Sequence, residues 1–158
     1  MAKMIITGTD FLSSFLKIGR LSLVFRAFGT NKIIITSGVL QELEQAPMRW
    51  ELKEALQSEE HKIIVKEIGE TLAEGFGRGE MESMALAAET NSLLLMDDRK
   101  AAQYAKQKGI TVMGIAAFLL YCKTNKVISK EDLQIIITEL KEKDYYQFNE
   151  EVRGKLLE

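Results

Sequence analysis

The sequence is poor in the residues that build the commonest catalytic and metal sites. Its 158 residues include one histidine, His61, and one cysteine, Cys122. A zinc site made of several His and Cys ligands, a Ser-His-Asp triad and an internal disulfide would each need partners that the chain lacks. The lone thiol lies in an apolar run, so we expect it to pack rather than to act as a nucleophile. Any bound metal would therefore be held by carboxylates.

Long apolar runs and a dominant charge are also missing. The run GIAAFLLYC, residues 114–122, is well short of the ~20 residues that span a bilayer, and the N-terminus has no signal-peptide pattern. We therefore expect a cytoplasmic protein with no membrane partner. A count of 21 Lys and Arg against 23 Asp and Glu gives a net charge of −2. This balance excludes a strongly basic nucleic-acid-binding surface but permits a local basic rim.

Short aliphatic runs alternate with segments of helical periodicity. Five runs predict buried strands of a parallel sheet, at residues 4–7, 33–36, 63–65, 93–96 and 110–113. Between them, apolar residues share helix faces, in the sets Phe11, Leu12, Phe15 and Leu16; Val39, Leu40 and Leu43; and Met81, Met84, Ala85 and Ala88. The alternation predicts an α/β fold with a parallel five-stranded sheet flanked by helices. The stretch AEGFGRGE, residues 73–80, is predicted to be a flexible loop.

The chain becomes wholly helical after residue 113. Ser129 is a predicted N-cap, with Asp132 three residues on, and a last helix is predicted at 145–157. We expect one domain over residues 1–158, with a core of about 4–128 and C-terminal helices over about 129–157. The first C-terminal helix places Leu133, Ile136, Ile137 and Leu140 at i, i+3, i+4 and i+7.

The apolar content of these C-terminal helices bears on self-association. These helices carry more apolar residues than one small sheet readily covers, among them Ile135, Ile136, Ile137 and Leu140. We therefore expect a homodimer, or a complex with a small inhibitory partner.

Acidic residues gather where the predicted strands end. Ligands of an open parallel sheet bind beyond the carboxyl ends of its strands. Asp97 and Asp98 directly follow the fourth strand, and Asp10 comes three residues after the first. Further acids lie on the helices beside the second and fourth strands, and they are Glu42, Glu44, Glu80 and Glu82. Carboxylates brought together repel one another unless they are protonated or share a cation, and oxygen ligands suit Mg²⁺ or Mn²⁺.

Each acid also has a plain structural explanation. Asp10 could cap the helix that begins at Phe11, and Asp97 or Asp98 could cap the helix that follows them. Glu42 and Glu44 lie on opposite flanks of one apolar face, as Glu80 and Glu82 do on another, so periodicity does not choose within either pair. The conjunction of the acids at one sheet edge is what indicates a site.

Three stretches together resemble the PIN domain, the fold of the VapC-like toxin ribonucleases, and particularly its stand-alone prokaryotic branch. They are ITGTDFLSSFLKIGRL at 6–21, VLQELE at 39–44, and GRGEMESMALAAETNSLLLMDDRKAAQYAKQKGITVMGIAAFLLYCKTNKVI at 77–128. The resemblance covers about residues 4–128. It implies a parallel sheet flanked by helices, and three or four acids that bind Mg²⁺ or Mn²⁺ and activate water for cleaving RNA.

The resemblance also assigns roles to residues. Glu42 matches the acid of the second motif, Glu80 that of the third and Asp98 that of the fourth, with Asp97 beside it. The resemblance thus implies four catalytic acids, which are Asp10, Glu42, Glu80 and Asp98. It implies five metal ligands, which are these four acids and Asp97.

The first motif of the family is where this chain departs. Asp-Thr followed by Asn, Ser or Asp is usual there, and Gly8-Thr9-Asp10 falls on that motif. Gly8 stands in the place of the main acid, whereas Asp10 holds the third position, which also faces the site in the family.

The expected function is that of a metal-dependent endoribonuclease that cleaves RNA, with an activity that Gly8 reduces. Such a protein could be the toxin of a toxin–antitoxin pair, with an antitoxin protein as partner. A non-catalytic RNA-binding or regulatory PIN-like module is a second interpretation, and Gly8 favours it. A phospho-receiver domain is disfavoured, because Lys66 and Glu67, rather than Asp, follow the third strand.

Overall fold

Five parallel strands form one sheet in a computed structural model that describes residues 4–69 and 75–158. The strands are β1 (Ile5–Thr7), β2 (Lys32–Thr36), β3 (Lys62–Lys66), β4 (Leu93–Leu95) and β5 (Thr111–Met113). They lie in the order β3-β2-β1-β4-β5. The α/β fold and all five predicted strands are confirmed, although Met4, Met96 and Ile110 fall just outside the strands.

Helices connect the strands and continue to the C-terminus. In the described residues they are α1 (Thr9–Lys17), α2 (Leu21–Phe28), α3 (Ser37–Glu44), α4 (Arg49–Gln57), α5 (Arg78–Thr90), α6 (Arg99–Gln107), α7 (Ile115–Thr124), α8 (Lys130–Asp144) and α9 (Glu150–Leu156). No predicted element covers α2 or α4. No helix within residues 4–69 and 75–158 is both long and apolar enough to span a bilayer.

Two predicted boundaries are wrong. The predicted loop at 73–80 ends earlier, since α5 already begins at Arg78; its residues 73 and 74 lie outside the described part. The last helix does not begin at Tyr145, which ends α8 with a left-handed φ of 54°. It begins at Glu150, after Asn149 accepts a hydrogen bond from the Val152 N–H at 2.8 Å.

The sheet separates two apolar clusters because successive strand residues point to opposite faces. Ile6, Ile34 and Leu94 pack on α5 and α6. Ile5 and Leu93 face the other cluster, which contains residues of the remaining helices. The central strands are therefore covered on both faces, as is usual for parallel sheets.

The C-terminal helices belong to the second of these clusters. Leu133 and Leu140 of α8 are fully buried in the same cluster as Phe11 of α1 and Phe118 of α7. The Phe11 and Phe118 rings meet edge to face at 5.5 Å between centroids. The predicted cap of α8 is present, since the Ser129 hydroxyl accepts from the Asp132 N–H at 3.1 Å. The C-terminal helices thus complete the packing of α1 and α7.

Candidate metal site at the carboxyl ends of the strands

The centre of the sheet brings the ends of β1 and β4 together. Thr7 pairs with Leu95, and the Gly8 N–H donates to the Leu95 carbonyl at 2.8 Å. From β1 the chain moves towards β2 and β3, whereas β4 leads to β5 on the other side. This reversal of strand order opens a crevice at the carboxyl ends, the usual place for a ligand in such a sheet.

Four of the predicted acids surround this crevice, and charges among them raise the pKa of two, Asp10 and Glu80. The pKa of Asp10 is raised, first by desolvation and then by the charges of Asp98 and Glu42. The pKa of Glu80 is also raised, first by burial, which the Gly77 N–H partly offsets, and then by Asp98, Asp10 and Glu42. The structure therefore brings Asp10, Glu42, Glu80 and Asp98 together, as their predicted roles require.

Asp10 is not the cap of α1. The helix begins at Thr9 with Gly8 as its N-cap, so Asp10 lies in the first turn rather than at the cap position. The capping explanation that the sequence allowed for Asp10 is therefore wrong. A carboxylate in this turn still interacts favourably with the helix dipole.

Glu80 and Glu82 differ sharply although they are two residues apart. The Glu82 carboxylate accepts from Arg78 Nε at 2.6 Å and from the Gly38 N–H at 2.9 Å. Burial alone would raise the pKa of Glu82, but these two donors hold it below its ordinary value. Glu80 accepts from the Gly77 N–H at 3.3 Å through Oε1, whereas its Oε2 is buried with no hydrogen-bond partner. Glu82 thus links α5 to α3, and Glu80 faces the crevice.

The buried face of α5 is rotated from the predicted one. Met84, Leu86 and Ala87 are buried, whereas Ala88 is exposed. The predicted face of Met81, Met84, Ala85 and Ala88 is confirmed at Met84 and wrong at Ala88, because α5 packs on α3 as well as on the sheet.

Glu42 and Glu44 separate in a similar way. The Thr9 hydroxyl donates to Glu42 Oε1 at 2.6 Å. A β-carbon at Gly79 would overlap both this carboxylate oxygen and the Thr9 hydroxyl. A side chain at residue 79 would therefore have to displace Glu42 or Thr9 for α5 to keep this approach. Glu44 is exposed and lines an apolar depression elsewhere on the surface.

Asp97 and Asp98 each support a helix. Asp98 caps α6 by accepting from the Ala101 N–H at 2.8 Å, and Asp97 Oδ1 accepts from the Ile115 N–H at the start of α7 at 2.7 Å. Burial raises the pKa of Asp97, while the Ile115 N–H and the Tyr146 hydroxyl lower it in part. Asp98 also contributes to the raised pKa of Asp10 and Glu80, which places it at the crevice.

The conformation of Gly8 is one that other residues adopt. Its φ of −81° and ψ of 174° are extended, and a β-carbon there would meet Met96 and Leu95 at 3.5 Å or more, an ordinary contact distance. Neither the backbone nor the packing therefore requires glycine at this position.

Sequence reasoning missed several residues that line or support the crevice, among them Thr9, Lys17, Asp144 and Tyr146. Thr9 lies inside the first motif, so its position in the family pattern could have indicated it. Asp144 and Tyr146 come from the end of α8 and the residue after its C-cap. No local pattern marks them, because they reach the site only through the packing of α8 on α1.

The donor set suits a hard divalent cation, since every candidate ligand is a carboxylate oxygen. The unpartnered Oε2 of Glu80 is the kind of atom that a cation would satisfy. Across residues 4–69 and 75–158, no three His, Cys, Asp or Glu side chains are arranged to hold one ion as they lie. Mutual repulsion among the carboxylates opposes such convergence until a cation offsets it.

Solved structures share this architecture. A PilT N-terminus domain protein from Sulfolobus solfataricus P2 is similar with a TM-score of 0.55 and 18% identity, over 73% of this chain and 90% of that chain. A domain of a functionally unknown protein from Methanocaldococcus jannaschii DSM 2661 has a TM-score of 0.52 and 27% identity, over 72% and 91% respectively. No curated protein sequence matches this chain.

The parallel sheet with acids at its switch point defines the class of protein as PIN-like, and the sequence agrees. The model of the family described as DUF3368: PIN domain matches residues 4–158. This chain therefore belongs to that PIN-domain family, and the match extends through the C-terminal helices.

Proposed function

We propose that this protein is an endoribonuclease that uses Mg²⁺ or Mn²⁺ held by Asp10, Glu42, Glu80 and Asp98, with Asp97 beside them. The observation that carries the proposal is the environment of Glu80. Its Oε2 is buried without a partner, and three other carboxylates raise its pKa. A buried polar atom of this kind is costly unless it is satisfied, and a cation satisfies it. PIN domains are generally nucleases that use divalent metal ions, which supports this assignment.

The residues of the chain prepare the crevice for such an ion. Thr9 fixes Glu42 by donating to one of its oxygens, and Asp98 is anchored at the start of α6. Asp97 joins β4 to α7 and so holds the rim of the crevice. A bound divalent ion would supply an activated water and neutralise charge on the phosphodiester.

Gly8 supports the proposal that this activity is reduced. Gly8 is the N-cap residue of α1 and has no side chain, so it contributes no carboxylate to the crevice. Asp10 supplies the acid of the first motif from the first turn of α1. A ligand set that lacks one acid at the sheet edge should bind its cation more weakly.

Paired variants test the metal site. We expect Glu42→Gln to abolish Mn²⁺-dependent cleavage of single-stranded RNA and to reduce the rise in Tm that Mn²⁺ produces, whereas Glu44→Gln on the same helix leaves both unchanged. A cation that binds only the native state stabilises it by ~2.7 kcal/mol at a hundredfold excess over its Kd. A Tm that does not respond to Mn²⁺ would contradict the metal site.

Asp98→Asn separates charge from capping at the fourth acid. Asparagine caps a helix about as well as aspartate, so α6 should keep its start. We expect the variant to fold normally and to lose its response to Mn²⁺. Asp10→Asn should likewise reduce cleavage. Because Asp10 does not cap α1, the loss of its charge should act on the metal site rather than on the helix.

A non-catalytic RNA-binding module is the second candidate, and the glycine at position 8 favours it. The two candidates predict different results for the unmodified chain. A nuclease cleaves RNA when Mn²⁺ is added, even if slowly, whereas a binding module retains RNA and leaves it intact.

We further propose that this protein is the toxin of a toxin–antitoxin pair and is inhibited by an antitoxin protein. We also propose that it is cytoplasmic and forms a homodimer. Of the residues behind the dimer expectation, Ile136, Ile137 and Leu140 pack within their own chain, while Ile135 is 50% exposed. Light scattering at tens of micromolar tests the dimer, which a strictly monomeric mass would contradict.

A further inference from the structure

A second group of polar residues extends the acidic crevice along α1. The cavity there has a volume of about 270 Å³, and its lining includes Asp10, Asp97 and Asp98. Lys17 of α1 and Asp144 at the end of α8 also line it. Among the described residues that line this cavity, Lys17 alone carries a positive charge.

Lys17 is held in place rather than left free in solvent. Its Nζ donates to Asp144 Oδ1 at 2.9 Å, and the Ser14 hydroxyl donates to Asp144 Oδ2 at 2.5 Å. The side chain of Asp144 is 9% exposed and that of Lys17 is 30% exposed. Lys143, which pairs with Glu139 on the outer surface, is 52% exposed. The Lys17 ammonium is therefore pre-positioned, which lowers the entropy lost when it binds a ligand.

The pairing leaves Lys17 able to bind an anion. An ammonium has three N–H donors, and the contact with Asp144 uses one of them. Lys17 follows Asp10 by seven residues, so the two lie on one face of α1, separated by about 10 Å along its axis. Helix side chains lean towards the N-terminus, which brings the ammonium back towards Asp10.

The carboxylates of this crevice repel the phosphates of an RNA strand. A cation bound by the acids offsets that repulsion only near the ion. A phosphate further along the strand needs a cation of its own. Lys17 supplies one away from the metal-binding acids, because it lies about two helical turns beyond Asp10 on α1 and lines the same cavity.

We propose that Lys17, pre-positioned by Asp144, binds a phosphate that flanks the scissile one in the RNA strand. This inference rests on the proposed ribonuclease function. It also gives the C-terminal helices a role in substrate binding, because α8 provides Asp144.

The first measurement is the affinity of Lys17→Met for a short fluorescein-labelled single-stranded RNA, with Ca²⁺ replacing Mn²⁺ to limit cleavage. Methionine keeps most of the side-chain length without the charge. We expect binding to weaken several-fold, and the slope of log affinity against log salt to decrease by about 0.7, the value for one phosphate contact on a single strand. Lys143→Met is the matched control and should leave both quantities unchanged.

Kinetics with Mn²⁺ distinguish substrate binding from a structural role. Lys17→Met should raise KM with kcat almost unchanged, because Lys17 does not contact the reacting phosphate. Lys17→Arg should retain most of the affinity. The rise in Tm that Mn²⁺ produces should not shrink in either variant.

Loss of Lys17 leaves Asp144 without its cation, so a second variant separates folding from binding. Lys17→Met combined with Asp144→Asn removes both charges and should restore the Tm but not the RNA affinity. An unchanged salt slope in Lys17→Met, alongside RNA binding by the unmodified chain, would overturn the role of Lys17 alone. If the unmodified chain neither binds nor cleaves RNA, both the inference and the proposed function fail.

Discussion

Glu80 carries a charge that the folded protein disfavours. Burial and neighbouring carboxylates raise its pKa above the ordinary 4.5. The folded state therefore holds the Glu80 proton more tightly than the unfolded state does. The contribution of Glu80 to stability is greatest below the ordinary pKa and is lost as the pH rises through the raised one.

We predict that Glu80→Gln becomes more stable relative to the unmodified chain as the pH rises from about 4 to 7 in the absence of metal. The variant should also lose the stabilisation by Mn²⁺. Thermal unfolding across this pH range measures both effects. Glu89→Gln, an exposed position on the same helix, should show neither, and a difference in Tm that does not vary with pH would contradict the prediction.

Glu82 should behave in the opposite way, because its carboxylate is satisfied by Arg78 and by the Gly38 N–H. We predict that Glu82→Gln lowers the free energy of unfolding by about 1.5–3 kcal/mol, the scale of hydrogen bonds to a charged group. Its response to Mn²⁺ should be retained. Denaturant unfolding with and without Mn²⁺ checks this, and loss of the Mn²⁺ response would place Glu82 in the metal site.

Gly8→Asp tests the missing acid directly. The surroundings admit a β-carbon, and aspartate at an N-cap position is itself favourable. We predict higher affinity for Mn²⁺ and faster RNA cleavage than in the unmodified chain. Gly8→Asn caps the helix equally well without the charge, so it should reproduce any gain in stability but not the gain in activity. Equal activities in the two variants would show that residue 8 supplies no ligand.

At the scale of elements, the approach of α5 to α3 sets the shape of the crevice. Gly79 lies at the start of α5, where a side chain would overlap Glu42 and Thr9. This close approach keeps Glu80 beside Glu42. The glycine therefore serves the site through packing, without providing a ligand.

We predict that Gly79→Ala lowers the free energy of unfolding by about 1–3 kcal/mol, as overpacking does, and weakens Mn²⁺ binding by displacing Glu42. Gly154→Ala in α9 is the control, because a β-carbon added there would meet no atom within 4 Å. That substitution should instead stabilise the protein by about 0.5–1 kcal/mol, the cost of glycine in a helix. A Gly79→Ala variant as stable as the unmodified chain would contradict the close packing.

At the scale of the whole molecule, the C-terminal helices share one core with the sheet. Ile136 is fully buried, and its neighbour Ile135 is 50% exposed. We predict that Ile136→Ala lowers the free energy of unfolding by about 2–5 kcal/mol, whereas Ile135→Ala changes it much less. Denaturant unfolding measures the difference. Similar values for both variants would mean that α8 does not pack as described.

The sequence by itself determined the features that depend on neighbouring residues. Aliphatic runs predicted the five strands, their alternation with helices predicted the α/β class, and the pair Ser129 and Asp132 predicted the cap of α8. The positions of Asp10, Asp97 and Asp98 after strands predicted acids at one sheet edge, because parallel strands end on the same side. Cys122 is buried as expected, and burial raises the pKa of its thiol to about 12.

Periodicity left open which acids face the crevice, and the family resemblance favoured Glu80, but only the tertiary structure supplied the physical reason why Glu82 does not face it. Periodicity describes a helix relative to its own axis, whereas the choice of Glu80 over Glu82 depends on Gly38, 44 residues from Glu82 in sequence. The contact that holds Asp144 on Ser14 joins residues 130 apart. Such pairs form only when α1, α3, α5 and α8 pack on one sheet, and that arrangement is a property of the whole chain.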